Sequence, residues 1–121
     1  MTAILTVDDS PSIRQTIKIA LTSAGYDVMG AADGVDGLQR ATNAQYDLVI
    51  TDLNMPNMDG LAMIRELRKK PSYAGVPILF LTTESSDAAK QQAKAAGATG
   101  WLTKPFDAGS LVRVVQKVLA R

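Results

Sequence analysis

Three short runs constrain this chain more than anything else in it: Ile4-Leu5-Thr6-Val7, Leu48-Val49-Ile50 and Ile78-Leu79-Phe80-Leu81. They are rich in strand-forming side chains and show no alternation of apolar and polar positions. A strand with one wet face alternates. A strand that does not alternate is covered on both faces, as the central strands of a parallel sheet are. Two weaker runs, Val28-Met29-Gly30-Ala31-Ala32 and Gly100-Trp101-Leu102, read as edge strands.

Helical periodicity fills the gaps between the runs. Ile13, Ile17, Ala20, Leu21 and Ala24 share one helical face, opened by Ser10-Pro11 and closed by Gly25. Val35, Leu38 and Ala41 mark a second helix. Leu61, Ile64 and Leu67 mark a third, entered through Asp59-Gly60. Ala89, Ala93 and Ala96 mark a fourth, closed by Gly97, and Leu111, Val114, Val115 and Val118 a fifth, started by Asp107. Five strands alternating with five helices predict an α/β fold with a parallel sheet and right-handed crossovers. The chain of 121 residues has the length of one domain, and residues 1–121 are expected to form it without a linker or repeat.

Polar residues gather where the strands end. The first strand runs into Asp8-Asp9, the third into Asp52, the fourth into Thr82-Thr83 and the fifth into Thr103-Lys104-Pro105. In a parallel sheet these points share one edge, the edge at which open α/β folds bind ligands. Each residue also has an ordinary reading. Asp8 and Asp9 would complement the positive end of the first helix. A lone Asp52 after a strand is usually a turn residue, Thr82 a strand end, Lys104 a solvated charge, and Asn54 and Asn57 loop formers. Taken together, those readings require a coincidence of placement.

The convergent reading makes a physical demand. Three carboxylates in one crevice repel one another, and a single lysine does not balance them. A hard divalent cation such as Mg²⁺, held by one or two carboxylates, waters and a phosphate, does. Asp8 and Asp9 are therefore candidate metal-holding acids, Asp9 the more direct, with the backbone carbonyl of Asn54 in reach if its loop turns back. Asp52 is then a candidate nucleophile, since carboxylates form acyl phosphates. Mg²⁺, Lys104 and the Thr82 hydroxyl would each neutralise one phosphoryl oxygen.

Composition excludes rival chemistries. The chain has no cysteine and no histidine, which removes disulfides, the usual zinc sites and a histidine general base. Any phosphohistidine donor is expected to lie elsewhere. The net charge of +1 gives no basic footprint for nucleic acid. No signal-peptide pattern opens the chain, and no apolar run is long enough to span a bilayer. The expected location is the cytoplasm. There is no Gly-x-x-x-x-Gly-Lys loop for direct use of ATP.

Four motifs together resemble bacterial two-component response-regulator receiver domains, nearest to the stand-alone chemotaxis type. They are Val7-Asp8-Asp9-Ser10, Asp52-Leu53-Asn54-Met55-Pro56-Asn57-Met58-Asp59-Gly60, Leu81-Thr82-Thr83-Glu84 and Lys104-Pro105-Phe106. The resemblance covers essentially the whole chain. It implies a doubly wound, flavodoxin-like sheet with strand order 2-1-3-4-5. It implies phosphorylation on Asp52 by a histidine kinase, Mg²⁺ held by Asp8, Asp9, Asp52 and the Asn54 carbonyl, and Thr82 and Lys104 as switch hydroxyl and amine. It also implies a cis bond at Lys104-Pro105 and a tuning role for Asn54 and Glu84 in dephosphorylation, with room for a phosphatase partner. Trp101 stands where the family usually has Tyr, Phe or His, an aromatic that moves inward as the switch hydroxyl is drawn to the phosphoryl group.

The resemblance implies a monomeric regulator that catalyses only its own phosphorylation and dephosphorylation. With no output domain expected after the fifth helix, the signal would pass to a partner such as the flagellar motor switch. The docking face would comprise the fourth helix, fifth strand and fifth helix, because the alanine face of the fourth helix does little to lock it down. A phosphate sink, or another single-domain relay receiver, has the same sequence signature. A phosphatase of the haloacid-dehalogenase kind would also use an aspartate nucleophile with Mg²⁺, but it places a general acid where Asn54 stands. A flavodoxin-like cofactor carrier would need a hydroxyl-rich phosphate loop where Asp8-Asp9 stand.

Overall fold

The computed structural model describes residues 2–120; Met1 and Arg121, the ends of the expected 1–121 domain, lie outside them. Its elements run β1 (Ala3–Val7), α1 (Pro11–Ser23), β2 (Asp27–Ala31), α2 (Gly34–Asn43), β3 (Leu48–Thr51) and α3 (Gly60–Arg68). After a 3₁₀ turn at Pro71–Tyr73 come β4 (Ile78–Thr82), α4 (Asp87–Ala96), β5 (Gly100–Thr103) and α5 (Ala108–Leu119). All strand pairings are parallel, in the order β2-β1-β3-β4-β5. This is the doubly wound fold expected from the sequence.

The unalternating runs are explained by two cores, one on each face of the sheet. Leu5, Val7, Val49, Ile78 and Phe80 point to one side, where Met63, Ile64 and Leu67 of α3 cover them. Ile4, Leu48, Ile50, Leu79 and Leu81 point to the other, beneath Ile17 and Leu21 of α1 and Leu111 and Val115 of α5. Every residue of β3 and β4 is buried. Each large aliphatic side chain so buried contributes about 1.5–3 kcal/mol. Among the described residues no helix is long and apolar enough to cross a membrane.

Each α-helix begins on a side chain that accepts from the backbone N–H three residues on: Ser10, Asp33, Asp59, Ser86 and Asp107. Such caps are worth about 1 kcal/mol apiece. Gly25 and Gly97 follow α1 and α4 with φ of 98° and 111°, a backbone region glycine enters freely.

One expectation is corrected. Val35 does not mark the inner face of α2; it is 40% exposed. The helix turns Gly34, Gly37 and Ala41 inward instead. A Cβ at Gly37 would fall 2.8 Å from the Met63 sulfur and 2.9 Å from a Val7 methyl. The helix lies too close to the sheet there for any side chain, so its smallest residues make the contact.

Candidate functional site

The sheet continues for one residue beyond three of its strands, and that extension builds the site. The Asp8 N–H donates to the Ala31 carbonyl (3.1 Å), the Asp52 N–H to the Val7 carbonyl (2.9 Å) and the Lys104 N–H to the Thr82 carbonyl (2.8 Å). Val7 pairs with Thr51 in register, which sets Asp8 beside Asp52. Strand register, a property of the core, thus fixes where the charged side chains emerge.

The carboxylates meet the lysine directly. Lys104 Nζ lies 2.7 Å from Asp8 Oδ2 and 3.0 Å from Asp52 Oδ2. The remaining oxygens accept from backbone: Asp8 Oδ1 from the Ser10 N–H (2.9 Å) and Asp52 Oδ1 from the Leu53 N–H (2.7 Å). Asp8 is 2% exposed, whereas Asp9 faces solvent. Asp8, Asp9 and Asp52 each offer an oxygen within 4.8 Å of the others. The three carboxylates outnumber the one ammonium, and their oxygens are the hard donors a divalent ion prefers.

Electrostatics follow from that crowding. Burial pushes the Asp8 carboxyl above its ordinary value of 3.8, overcoming the pull of Lys104 and of the Ser10 N–H. Burial also works against the charge on Lys104, but hydrogen bonds to Asp8 and Asp52 outweigh it and hold the ammonium above its ordinary 10.5. Lys104 therefore stays charged at neutral pH, and removing it would leave two acids facing one another.

The other predicted residues lie around this cluster. Thr82 ends β4, is 1% exposed, and accepts from the Glu84 N–H at 3.3 Å. Its hydroxyl makes no hydrogen bond to the carboxylates. Thr83 is exposed. Glu84 Oε1 accepts from the N–H groups of Ser85 and Ser86, both at 3.1 Å, which shapes the entry to α4. Asn54 is exposed on the β3–α3 loop, which the Gly60 N–H closes onto the Leu53 carbonyl at 2.9 Å. The Lys104-Pro105 bond is cis, as expected.

Trp101 is half-buried on β5, paired in register with Phe80, the ring centroids 5.4 Å apart and tilted by 43°. Its indole N–H is buried without a partner. The ring lines a groove of about 300 Å³ with Lys90, Ala93, Lys94 and Thr99.

Arg14 escapes sequence reasoning, and so do the contacts made by Gly60 and Asn57, which the sequence places only as a helix entry and a loop former. Arg14 of α1 donates from its guanidinium to the Asp8 carbonyl. Gly60 brings the start of α3 against the Asp52 carbonyl so closely that a Cβ there would overlap it. Asn57, at φ 68°, donates to Asp33 Oδ2 at 2.6 Å and ties the β3–α3 loop to the start of α2. Gly60 leaves a trace as the helix entry, and Asn57 as a loop former, because an Asn before Met-Asp-Gly suits a left-handed turn position.

Residues 4–116 match the family model described as the response regulator receiver domain. The chain is 39% identical over 121 residues to the DNA-binding dual master transcriptional regulator RpaA of Synechocystis. That alignment takes in 100% of this chain and 50% of RpaA, so the chain spans about half the length of that relative. Among solved structures, it resembles the chemotaxis protein CheY4 of Vibrio cholerae with a TM-score of 0.95 and 47% identity, over 98% of each chain. It also resembles the receiver domain of the sensor histidine kinase PA1611 from Pseudomonas aeruginosa PAO1, which holds a magnesium ion coordinated in its active site cleft. There the TM-score is 0.92 and the identity 32%, over 99% of this chain and 98% of that one.

Proposed function

This chain belongs to the response regulator receiver domain family, and from that premise we propose that it is a phospho-acceptor switch whose acceptor is Asp52. Receiver domains take phosphoryl groups from histidine kinases and act on output partners; they are signalling regulators rather than classical enzymes. The observation that carries the assignment here is the pairing of the Asp52 carboxylate with the Lys104 ammonium at the acidic sheet edge.

In the proposed reaction an Asp52 carboxylate oxygen attacks the phosphorus of a kinase phosphohistidine. The new O–P bond makes an aspartyl phosphate, the P–N bond breaks, and the imidazole leaves with the electron pair. The donor histidine lies outside these 121 residues, which contain none. Lys104 already bridges Asp8 and Asp52, so its ammonium is at hand to neutralise an incoming phosphoryl oxygen. Thr82, one residue beyond the paired Leu81–Leu102 positions, supplies a hydroxyl from the neighbouring strand end.

The acidic cluster fits a hard divalent cation by its donor set. Asp8, Asp9 and Asp52 would hold Mg²⁺, with the Asn54 carbonyl as a further oxygen. Bound there, the ion would supply positive charge against the carboxylates and the arriving phosphoryl group. The likeness to a receiver with magnesium in its cleft supports this reading.

The likeness to CheY4 supports a chemotaxis role, with output through α4, β5 and α5 to a partner such as the flagellar motor switch. Trp101 and Thr82 would relay the change, and Asn54 and Glu84 would tune the lifetime of the phosphoryl group.

The test is intact mass after incubation with acetyl phosphate and Mg²⁺. A gain of about 80 Da, one phosphoryl group, is expected. It should require the metal and vanish in Asp52→Asn. An equal gain in that variant would move the acceptor elsewhere.

A further inference from the structure

A buried hydroxyl with no partner is a cost to folding, and this fold carries one in the middle of its sheet. Thr6 lies on β1, 1% exposed, and its Oγ1 makes no hydrogen bond. Valine would fill the same space at no polar penalty. Thr6 shares the α1 side of the sheet with Ile4, because alternate strand residues share a face. It opens onto a crevice of about 300 Å³ between α1 and the edge strand β2, lined also by Pro11, Arg14, Gln15, Lys18, Val28 and Gly30.

The chemistry of that lining has one sign. Arg14 and Lys18 bring two positive charges, and neither forms an ion pair among the described residues. Gln15 and Thr6 add neutral donors, and no carboxylate lines the crevice. Gly30 makes the room, since a Cβ there would press on the Arg14 side chain at 3.3 Å. The arrangement combines a buried unpaired donor, two unpaired cations and an apolar floor from Val28.

We propose that this crevice is a binding site for a small oxyanion, a phosphate or a carboxylate, held by the Thr6 hydroxyl, Arg14 and Lys18. The occupant would give Thr6 the partner it lacks and bring a counter-charge to the two cations. The site stands apart from Asp52 and does not depend on the phospho-acceptor reading. The two regions nonetheless share a side chain, because the Arg14 guanidinium also holds the Asp8 carbonyl.

The experiment is a titration followed by amide chemical shifts, on the full chain in EDTA at constant ionic strength with chloride as background. Inorganic phosphate and succinate are added in separate arms. Saturable shifts centred on Thr6, Lys18 and Gly30 are expected, with at least a five-fold weaker midpoint in Lys18→Gln and in Thr6→Val. They should persist unchanged in Asp52→Asn, which separates this site from the acceptor. Saturation in one arm only identifies the class of anion. Absence of saturation in both arms overturns the proposal. So does an unchanged midpoint in Thr6→Val or a pattern centred on the Asp52 loop. Thermal unfolding provides a second check: Thr6→Val should be at least as stable as the parent without anion, and should gain less from added anion. A Thr6→Val protein that is less stable in plain buffer would make the hydroxyl structural and sink the assignment.

Discussion

Helices α3 and α4 cover the same face of the sheet, yet they are held in opposite ways. The nine residues of α3 bury Gly60, Met63, Ile64 and Leu67, and its first glycine abuts the Asp52 carbonyl. The ten residues of α4 bury only Ala93. Its side-chain hydrogen bonds to α3 fall just past its last turn, at Gly97. There Arg68, at the end of α3, donates to the Gly97 carbonyl from Nε (3.1 Å) and from its second terminal nitrogen (2.6 Å). The other terminal nitrogen reaches the carbonyls of Tyr73 (2.6 Å) and Val76 (2.7 Å). One helix is thus part of the scaffold that fixes Asp52, the proposed acceptor. The other is tethered at one end and lightly packed along its length, which is what an element with two arrangements requires.

The comparison can be broken by substitution. Leu67→Ala in α3 removes a fully buried side chain and should cost about 2–5 kcal/mol, read from urea unfolding. If Leu67→Ala cost no more than a substitution in α4, the contrast would fail. Arg68→Ala should cost about 2 kcal/mol by leaving several half-buried carbonyls without donors. Hydrogen exchange would locate the change, with amides in the last turn of α4 losing protection before those of α3. Uniform loss across both helices would mean that the guanidinium is no local tether.

Ala93→Gly should cost only about 1 kcal/mol, mostly helix propensity, because the site it vacates is small. A much larger loss would show α4 to be as firmly packed as its neighbour.

The smallest effect is one of pH at the entry to α4. Backbone N–H donation from Ser86 leads the interactions that hold the Glu84 carboxyl below its ordinary 4.5. The group binds its proton less readily in the folded chain than in the unfolded one. Its contribution is therefore complete above 4.5 and drains as pH falls through the depressed folded value. The Ser85 and Ser86 amide shifts should titrate in that lower window, and Glu84→Gln should remove the transition. A transition centred at or above 4.5 would contradict the bond pattern.

Much of the architecture was legible because the core speaks in runs. Strands buried on both faces cannot alternate, so β1, β3 and β4 announced themselves, and the polar residues directly after them had to share an edge. That logic found Asp8, Asp52 and Thr82 together, and the weaker fifth run added Lys104. It failed at α2, where periodicity favoured Val35. The rule that large apolar residues face inward assumes room for them, and at Gly37 the Met63 sulfur and Val7 leave none. It also passed over Arg14 and Thr6. The reach of Arg14 to the Asp8 carbonyl depends on how α1 tilts across the sheet, a tertiary quantity with no local signature. Thr6 sat inside an apolar run and counted as one more strand former, although its hydroxyl is the part without a partner.

The one-residue continuation of the strands beyond their pairings has a consequence for how this chain tolerates change in length. Asp8, Asp52 and Lys104 are each pinned by a backbone bond to the neighbouring strand. Adding or deleting one residue within β1, β3 or β5 would turn the next side chain to the opposite face and dismantle the cluster. The turns at the far rim, such as the one around exposed Gly75, with open space about it, carry no such constraint. Extra chain there costs little more as it lengthens. The molecule therefore has one rim that keeps count and one that can be spliced, and a reporter peptide grafted at the second should leave the first intact.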